Sequence, residues 1–378
     1  MVGAVIEERE ARDGSPVTGK GPGPFRRFWS RWPLWSAPAA IAWSVLYGAA
    51  HVYWAFGGAG FPFARVPEDR ASSSVLDPSP VEVVAPVFAA FCAVAAAVGA
   101  VMLHQQRTGR AVSPGRRRAL LVFGWLTAGL LAFGVPDYTL IAVVAFAPAL
   151  VVFAFTGIPG PQGGLEDILY WHRDNLIIVF LGGLLWALAT LAHQRRTADR
   201  CTSCGRGERA AASWTSPERA LRWGRKAVWI AVLATIPYDL TRLAWYFGLP
   251  LGITDEFLKE MQDTEGMLEI GLGLGIMSTL GSLLTHGLVS RWGEVWPRWV
   301  WFKAGGPVHP LTAIIPASIV SLALLPGSMM NFRSGFDPEM WGTNTPMFFW
   351  GLWGLALGAA TYSYHLRRRG ECGTCGRG

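Results

Sequence analysis

The sequence predicts an all-α, polytopic membrane protein built as a tandem duplication of a four-helix unit, and three observations predict it. Eight apolar stretches run through the 378 residues, each near the roughly 20 residues that a helix needs to cross a hydrocarbon core of about 30 Å. Charged residues make up 16% of the chain and the mean hydropathy is +0.30, against about 25% charged in soluble domains. The turn Cys201-Thr-Ser-Cys204-Gly-Arg-Gly207 returns as Cys372-Gly-Thr-Cys375-Gly-Arg-Gly378. So much apolar surface excludes a disordered chain, and five Cys without a Gly triplet period exclude disulfide scaffolds and collagen.

The eight crossings are expected at 36–57, 82–104, 139–157, 175–194, 227–248, 268–289, 309–330 and 345–365. Charged loops separate them, a pattern that buried helices of a soluble enzyme would not repeat eight times. A ninth stretch, 119–135, is shorter, bounded by Arg118 and by Val135-Pro136-Asp137. It is expected to be interfacial or re-entrant, without a full crossing, the alternative being that it crosses and the charge rule fails here. Residues 1–34 read as a flexible cytoplasmic tail: Glu7, Glu8, Glu10 and Asp13 stand where a secretory signal would be basic, and 14–25 is rich in Gly and Pro. Residues 35–207 form a first membrane repeat, 208–225 a cytoplasmic linker, and 226–378 a second repeat.

Lys and Arg near helix ends set orientation. Arg26, Arg27 and Arg31 precede the first span; Arg107, Arg110 and Arg116 to Arg118 fill the second loop; Arg195 to Lys226 is a basic linker; Arg367 to Arg369 follow the last span. The intervening loops are acidic, with Glu68, Asp69 and Asp77 in one and Asp255, Glu256, Glu260, Asp263 and Glu265 in another. N-terminus, linker and C-terminus are thus expected in the cytoplasm, in a multi-pass plasma-membrane protein whose partner is the bilayer. Because the basic residues flank helices and form no single stripe, the formal charge of +7 is a topology signal and no nucleic-acid partner is expected.

The halves share more than their tails. His51-Val-Tyr-Trp54-Ala-Phe-Gly57 matches Arg242-Leu-Ala-Trp245-Tyr-Phe-Gly248, Gly99 to His104 matches Gly281 to His286, and Ala147-Pro148-Ala149 matches Ile315-Pro316-Ala317. Between the matched His and Pro the first half is longer, and the surplus covers most of 119–135. The second half offers there only Arg291 to Val308, whose Trp292, Trp296, Trp299 and Trp301 suit the headgroup level. The two segments are expected to occupy the same place. Four crossings then separate Cys201 from Cys372, which puts both Cys pairs on one face.

A Cys-x-x-Cys turn supplies two thiolates from one loop, and structural zinc takes four ligands in a tetrahedron. Cys201, Cys204, Cys372 and Cys375 are therefore candidate ligands of one zinc ion joining the repeats. A thiol–disulfide pair and free thiols kept by common descent are the competing readings. Cys92, among Ala and Phe, is a core residue. Ionisable groups inside a span are functional candidates. His51, Trp54, Asp239, Arg242 and Trp245 are candidates for lining a shared cavity that binds a small solute, while Asp239 and Arg242, three apart on one helix, can instead neutralise each other. His104, His193, His286 and His365 lie at helix ends, where an interfacial role is expected. Glu166, Asp167, His172, Arg173 and Asp174 cluster before the fourth main span, as binding groups or as a solvated helix start. The chain carries no phosphate-cradling glycine motif, no His-Glu-x-x-His and no Gly-x-Ser-x-Gly.

The stretch His51-Val-Tyr-Trp-Ala-Phe-Gly-Gly58 resembles the His-x-Tyr-Trp-Ala-x-Gly-Gly signature of a family of small, uncharacterised four-helix bacterial membrane proteins. The whole chain resembles double-length multi-pass membrane proteins of actinobacteria that carry a Cys-x-x-Cys-Gly-Arg tail. The resemblance implies a membrane fold and brings no activity; the second half departs from the signature at Arg242 and Ala244. The function expected first is a non-catalytic scaffold or sensor with a cytoplasmic four-cysteine zinc site. A small-solute transporter or channel comes second, and a membrane thiol oxidoreductase third.

Overall fold

The computed structural model describes residues 23–65, 74–109, 112–156, 170–208, 213–334 and 336–377. The expected tail at 1–22, the loop residues Glu68 and Asp69, Arg110, and Glu166 and Asp167 lie outside the described residues. Nine long helices stand among those described: α1 (Trp32–Ala55), α2 (Val81–Thr108), α3 (Pro114–Gly129, continued by a π-turn at Leu130–Gly134), α4 (Thr139–Thr156), α5 (Trp171–Arg196), α6 (Pro217–Tyr246), α7 (Met267–His286), α8 (Leu311–Ser334) and α9 (Trp341–Arg368). No strand is found among the described residues; one isolated bridge pairs Val295 with Pro307.

Six helices, α2, α3 with its extension, α5, α6, α7 and α8, are long and apolar enough to cross a membrane. Apolar side chains of these helices and of α1 and α9 point outward as well as inward. Leu46, Leu126, Leu284 and Leu355 are each at least 65% exposed on the outside of the bundle. A water-soluble bundle turns such residues inward, because contiguous exposed apolar surface promotes association. Hydrocarbon accepts them, and a helix satisfies its own backbone there.

The packing order is the same in each half. Helix α1 runs antiparallel to α5 over its whole length: Arg195 stacks on Trp32 at 5.5 Å, Trp186 Nε1 donates to Ser44 Oγ at 3.1 Å, and Tyr47 OH donates to Asn175 Oδ1 at 2.9 Å. It also packs on α2, with Gly48 against Cys92. Helix α3 lies antiparallel along α5, from Arg117 Nε donating to Thr197 Oγ1 at 2.9 Å to Gly183 beneath Ala132, where a Cβ would sit 2.5 Å from the Ala132 nitrogen. In the second half α6 packs on α7 and α9, and α8 packs on α9. Thr235 meets Ser282 at 2.9 Å, Ser363 Oγ donates to the Ala220 carbonyl at 2.7 Å, and Ser321 Oγ donates to the Gly354 carbonyl at 2.7 Å. Small residues at these crossings let the helices approach closely, as association in a bilayer favours.

The stretch 119–135, expected without a full crossing, lies in a helix that is long and apolar enough to cross. That helix, Pro114–Gly134, is 21 residues long, and it packs on α5 as α8 packs on α9. Its supposed counterpart, 291–308, forms turns that are pinned to α9 by Tyr364 OH donating to the Gly293 carbonyl at 2.6 Å and by Arg367 with Glu294 at 2.6 Å. Proline explains the difference. Pro114 opens α3 at a position where a helix tolerates it, whereas Pro297, Pro307 and Pro310 interrupt the later segment. Arg173 lies over the rings of both Tyr138 and Tyr170, at 5.4 and 5.1 Å, so the residue before α4 and the residue before α5 share one end. The halves meet where α8 packs on α4 and on the π-turn, and again at the cysteine turns.

Candidate metal centre and intramembrane polar groups

The cysteine turns follow the ends of α5 and α9, and their backbones are alike. Cys201 N–H donates to the Arg206 carbonyl at 2.8 Å and Cys372 N–H to the Arg377 carbonyl at 2.9 Å. Gly205 N–H donates to the Cys201 carbonyl and Gly376 N–H to the Cys372 carbonyl, both at 2.7 Å. These glycines have φ of +76° and +67°, a region that side-chain-bearing residues avoid, so Gly after the second Cys lets each turn close. Ser203 and Thr374 at the two tips touch through their hydroxyls at 3.2 Å.

The turns face each other, and the sulfurs converge. Cys201 Sγ is 4.0 Å from Cys372 Sγ, Cys204 Sγ is 3.6 Å from Cys375 Sγ, and all four lie within 4.8 Å of one another. A tetrahedral ion with metal–sulfur bonds of about 2.3 Å needs sulfur–sulfur edges of about 3.8 Å, so the four thiolates fit a metal ion with little movement. The cluster is half-buried. A divalent ion in four thiolates carries a net charge of −2, and cations surround this one. Arg195 donates to the Thr202 and Ser203 carbonyls at 2.9 and 2.8 Å. Arg206 reaches across to the Gly370 carbonyl at 3.0 Å and to the Arg377 carbonyl, and Arg377 faces the Arg206 carbonyl at 3.5 Å. The Arg206 amide points at Cys204 Sγ at 3.4 Å.

Protons divide unevenly among these thiols. Burial pushes Cys204 up to about 12, which the Arg206 amide offsets only in part. Burial also opposes ionisation of Cys372, but the amides of Thr374 and Cys375 and the thiols of Cys204 and Cys375 outweigh it and bring Cys372 down to about 6. Thiolate is the metal-binding form, so a metal takes the place of the remaining protons.

The other predicted group separates into two sites. His51 is fully buried between Phe88, stacked at 5.0 Å, and Trp54, edge-on at 4.9 Å; its Nδ1 bonds the Tyr47 carbonyl at 3.0 Å, and Nε2 has no partner. Asp239, Arg242 and Trp245 lie on α6, where a half-open cavity of about 220 Å³ is lined by residues of α6 and α7 alone. His51 and Trp54 line no part of it, because the halves meet through α4 and α8 and not through α1 and α6. Nor do Asp239 and Arg242 neutralise each other. Asp239 Oδ2 accepts from Thr279 Oγ1 at 3.0 Å, and the Arg242 guanidinium lies between the rings of Tyr238 and Trp245, at 4.5 and 4.2 Å.

A buried polar group at the same end of the first half went unread in the sequence beyond His172 and Arg173. His172 pairs with Asp77 at 3.4 Å, both nearly buried, and Arg173 donates to Tyr138 OH at 2.9 Å. Asn175, one turn along α5, receives the Tyr47 bond. Antiparallel packing of α1 on α5 brings Tyr47 to Asn175, while the segments before α2 and α4 bring Asp77 and Tyr138 to the start of α5, and no local motif announces it. Of the helix-end histidines, His193 is fully buried with neither ring nitrogen partnered among the described residues, and His286 meets Trp229 edge-on at 5.1 Å. No protein family, no curated protein and no solved structure matches the chain.

Proposed function

We propose that this is a duplicated plasma-membrane scaffold whose two halves are clamped by one zinc ion held by Cys201, Cys204, Cys372 and Cys375. One observation carries the reading: four sulfur atoms, two from each half and 171 residues apart in sequence, converge to within 4.8 Å. A single turn offers only two ligands, so a closed four-thiolate site exists only when both halves are folded and docked. The common packing order of α1, α2, α3 and α5 with α6, α7, α8 and α9 supports duplication, and eight crossings on that plan put both turns at one end. Arg107, Arg116 to Arg118, Arg195, Arg219, Arg222, Arg225 and Arg367 to Arg369 gather near that end, which supports a cytoplasmic placement. A path for solutes between the halves has less support, since the α6–α7 cavity belongs to one half. For thiol–disulfide exchange, the short sulfur contacts join the halves, and such a disulfide would be a crosslink between them.

Elemental analysis of the purified full-length protein tests this. The expected result is about one zinc per chain, reduced to none by Cys204→Ser and equally by Cys375→Ser. Protein purified without metal under zinc-replete conditions, or metal retained by the double variant Cys372→Ser/Cys375→Ser, removes the clamp.

A further inference from the structure

The cavity between α6 and α7 has features of a built site. Its lips are Leu240, Leu243, Ile276 and Leu280, which are 44–53% exposed on the outer wall of the bundle, so it opens sideways toward lipid and not toward the other half. On its floor Arg242 is held between two aromatic faces, yet its Nη1 has no hydrogen-bond partner among the described residues, and neither has Asp239 Oδ1. Opposite Arg242, α7 carries glycines: a Cβ on Gly275 or Gly271 would stand 3.4 or 3.6 Å from the Arg242 side chain. A guanidinium held only by ring faces and a carboxylate bonded at one oxygen are costly in hydrocarbon, the more so because each keeps a buried atom with an unmade bond.

The positions of the two groups define what completes them. Helix α6 ends at Tyr246, at the end of the molecule away from the cysteine turns. Arg242 lies about one turn inside that end, and Asp239 lies about 4.5 Å deeper. The occupant therefore presents an anion near the membrane surface, a hydrogen-bond donor one turn deeper, and an apolar body along the leucine lips. A half-open cavity of about 220 Å³ takes part of one acyl chain and leaves no room for a second beside it. We infer that the groove between α6 and α7 is a lateral binding site for a single-chain phospholipid, its phosphate on Arg242, its free glycerol hydroxyl on Asp239, and its acyl chain across Leu240, Leu243, Ile276 and Leu280. Guanidinium geometry matches phosphate oxygens, and the flanking rings fix its plane.

Native mass spectrometry of the full-length protein, titrated in detergent with monoacyl phosphatidylglycerol, tests the site. One lipid per chain is expected, weakened roughly tenfold or more by Arg242→Gln, the scale of one lost charge-assisted bond. Ile276→Trp, which fills the groove while leaving both charges, should lower occupancy by a comparable factor. Metal content of both variants should match the parent, which reports an intact fold. Three comparisons decide the chemistry. Monoacylglycerol, which lacks the phosphate, should bind at least tenfold more weakly; equal binding overturns the role of Arg242. Diacyl phosphatidylglycerol should bind more weakly than the monoacyl lipid; equal or tighter binding overturns the single-chain assignment. Inorganic phosphate at millimolar concentration should leave the lipid bound; displacement makes the groove a site for free anions and overturns the proposal.

Discussion

The first helices of the two halves carry one pattern and reach opposite outcomes. In α1, Tyr47, His51 and Trp54 stand at i−4, i and i+3, and in α6, Tyr238, Arg242 and Trp245 repeat that spacing. Each places a polar side chain between two aromatic rings near the end away from the cysteines. The neighbouring helix decides the rest. Against α1, Gly48 lets α2 close onto it at Cys92, and Phe88 covers the imidazole, which is sealed at 0% exposure. Against α6, Asp239 reaches Thr279, and Gly271 and Gly275 offer no side chain to cover the guanidinium, so a groove remains. A local motif fixes what a helix presents; the facing helix fixes whether it is core or site.

The cysteine turns are where the halves behave as equals, and breaking that equality should give the largest effect. Cys375→Ser, like Cys204→Ser, is expected to lower the apparent thermal midpoint by on the order of 10 °C, because a structural metal contributes many kcal/mol and each kcal/mol moves Tm by a few degrees. A scan in parallel with a chelator should show the parent shifting to the same value and the variants not shifting.

Exchanging the central residues tests the comparison itself. His51→Arg places an unpaired cation in a sealed pocket and is expected to cost about 3–5 kcal/mol, whereas Arg242→His, in the open groove, should stay within about 1 kcal/mol. Denaturation midpoints of the two variants measure this, and equal losses would show that the halves do not differ as described. A smaller effect concerns close packing. Gly183→Leu drives a side chain into the Ala132 backbone of α3 and should cost about 1–3 kcal/mol or more. A Cβ on Gly281 of α7 would meet nothing within 4 Å, so Gly281→Ala should cost nothing.

The smallest expected effect separates the two turns. In metal-stripped protein at pH 7, Cys372, brought down to about 6, is mostly thiolate, and Cys204, pushed up to about 12, is protonated. Alkylation should modify Cys372 first and slow as the pH falls through 6, while Cys204 stays slow until strongly alkaline pH. Mass mapping of the modified peptides reads the order; Cys204 reacting first would reverse the assignment.

Much of the fold was legible in the sequence because apolar runs of about 20 residues have few alternatives. Helix α3 is ambiguous in the sequence for a local reason: it begins at Pro114 and carries Arg116, Arg117 and Arg118 near its start, so the apolar run alone is shorter than a crossing. The cysteine turns were legible because Cys-x-x-Cys-Gly fixes its own backbone, and the match between tails implied that they meet. The intramembrane site was legible as residues and not as a place. Spacing shows that Asp239 and Arg242 share a helix face, but side-chain rotamers send one to Thr279 and the other to two rings. That His51 lies apart from them follows from α4 and α8 forming the contact between halves, which no pattern within either half encodes.

Zinc K-edge X-ray absorption on the full-length protein tests the central claim most directly. One ion clamped by both turns gives a single shell of four sulfurs at about 2.3 Å. A shell with two sulfurs and two lighter ligands would place separate ions on separate turns and contradict a shared clamp.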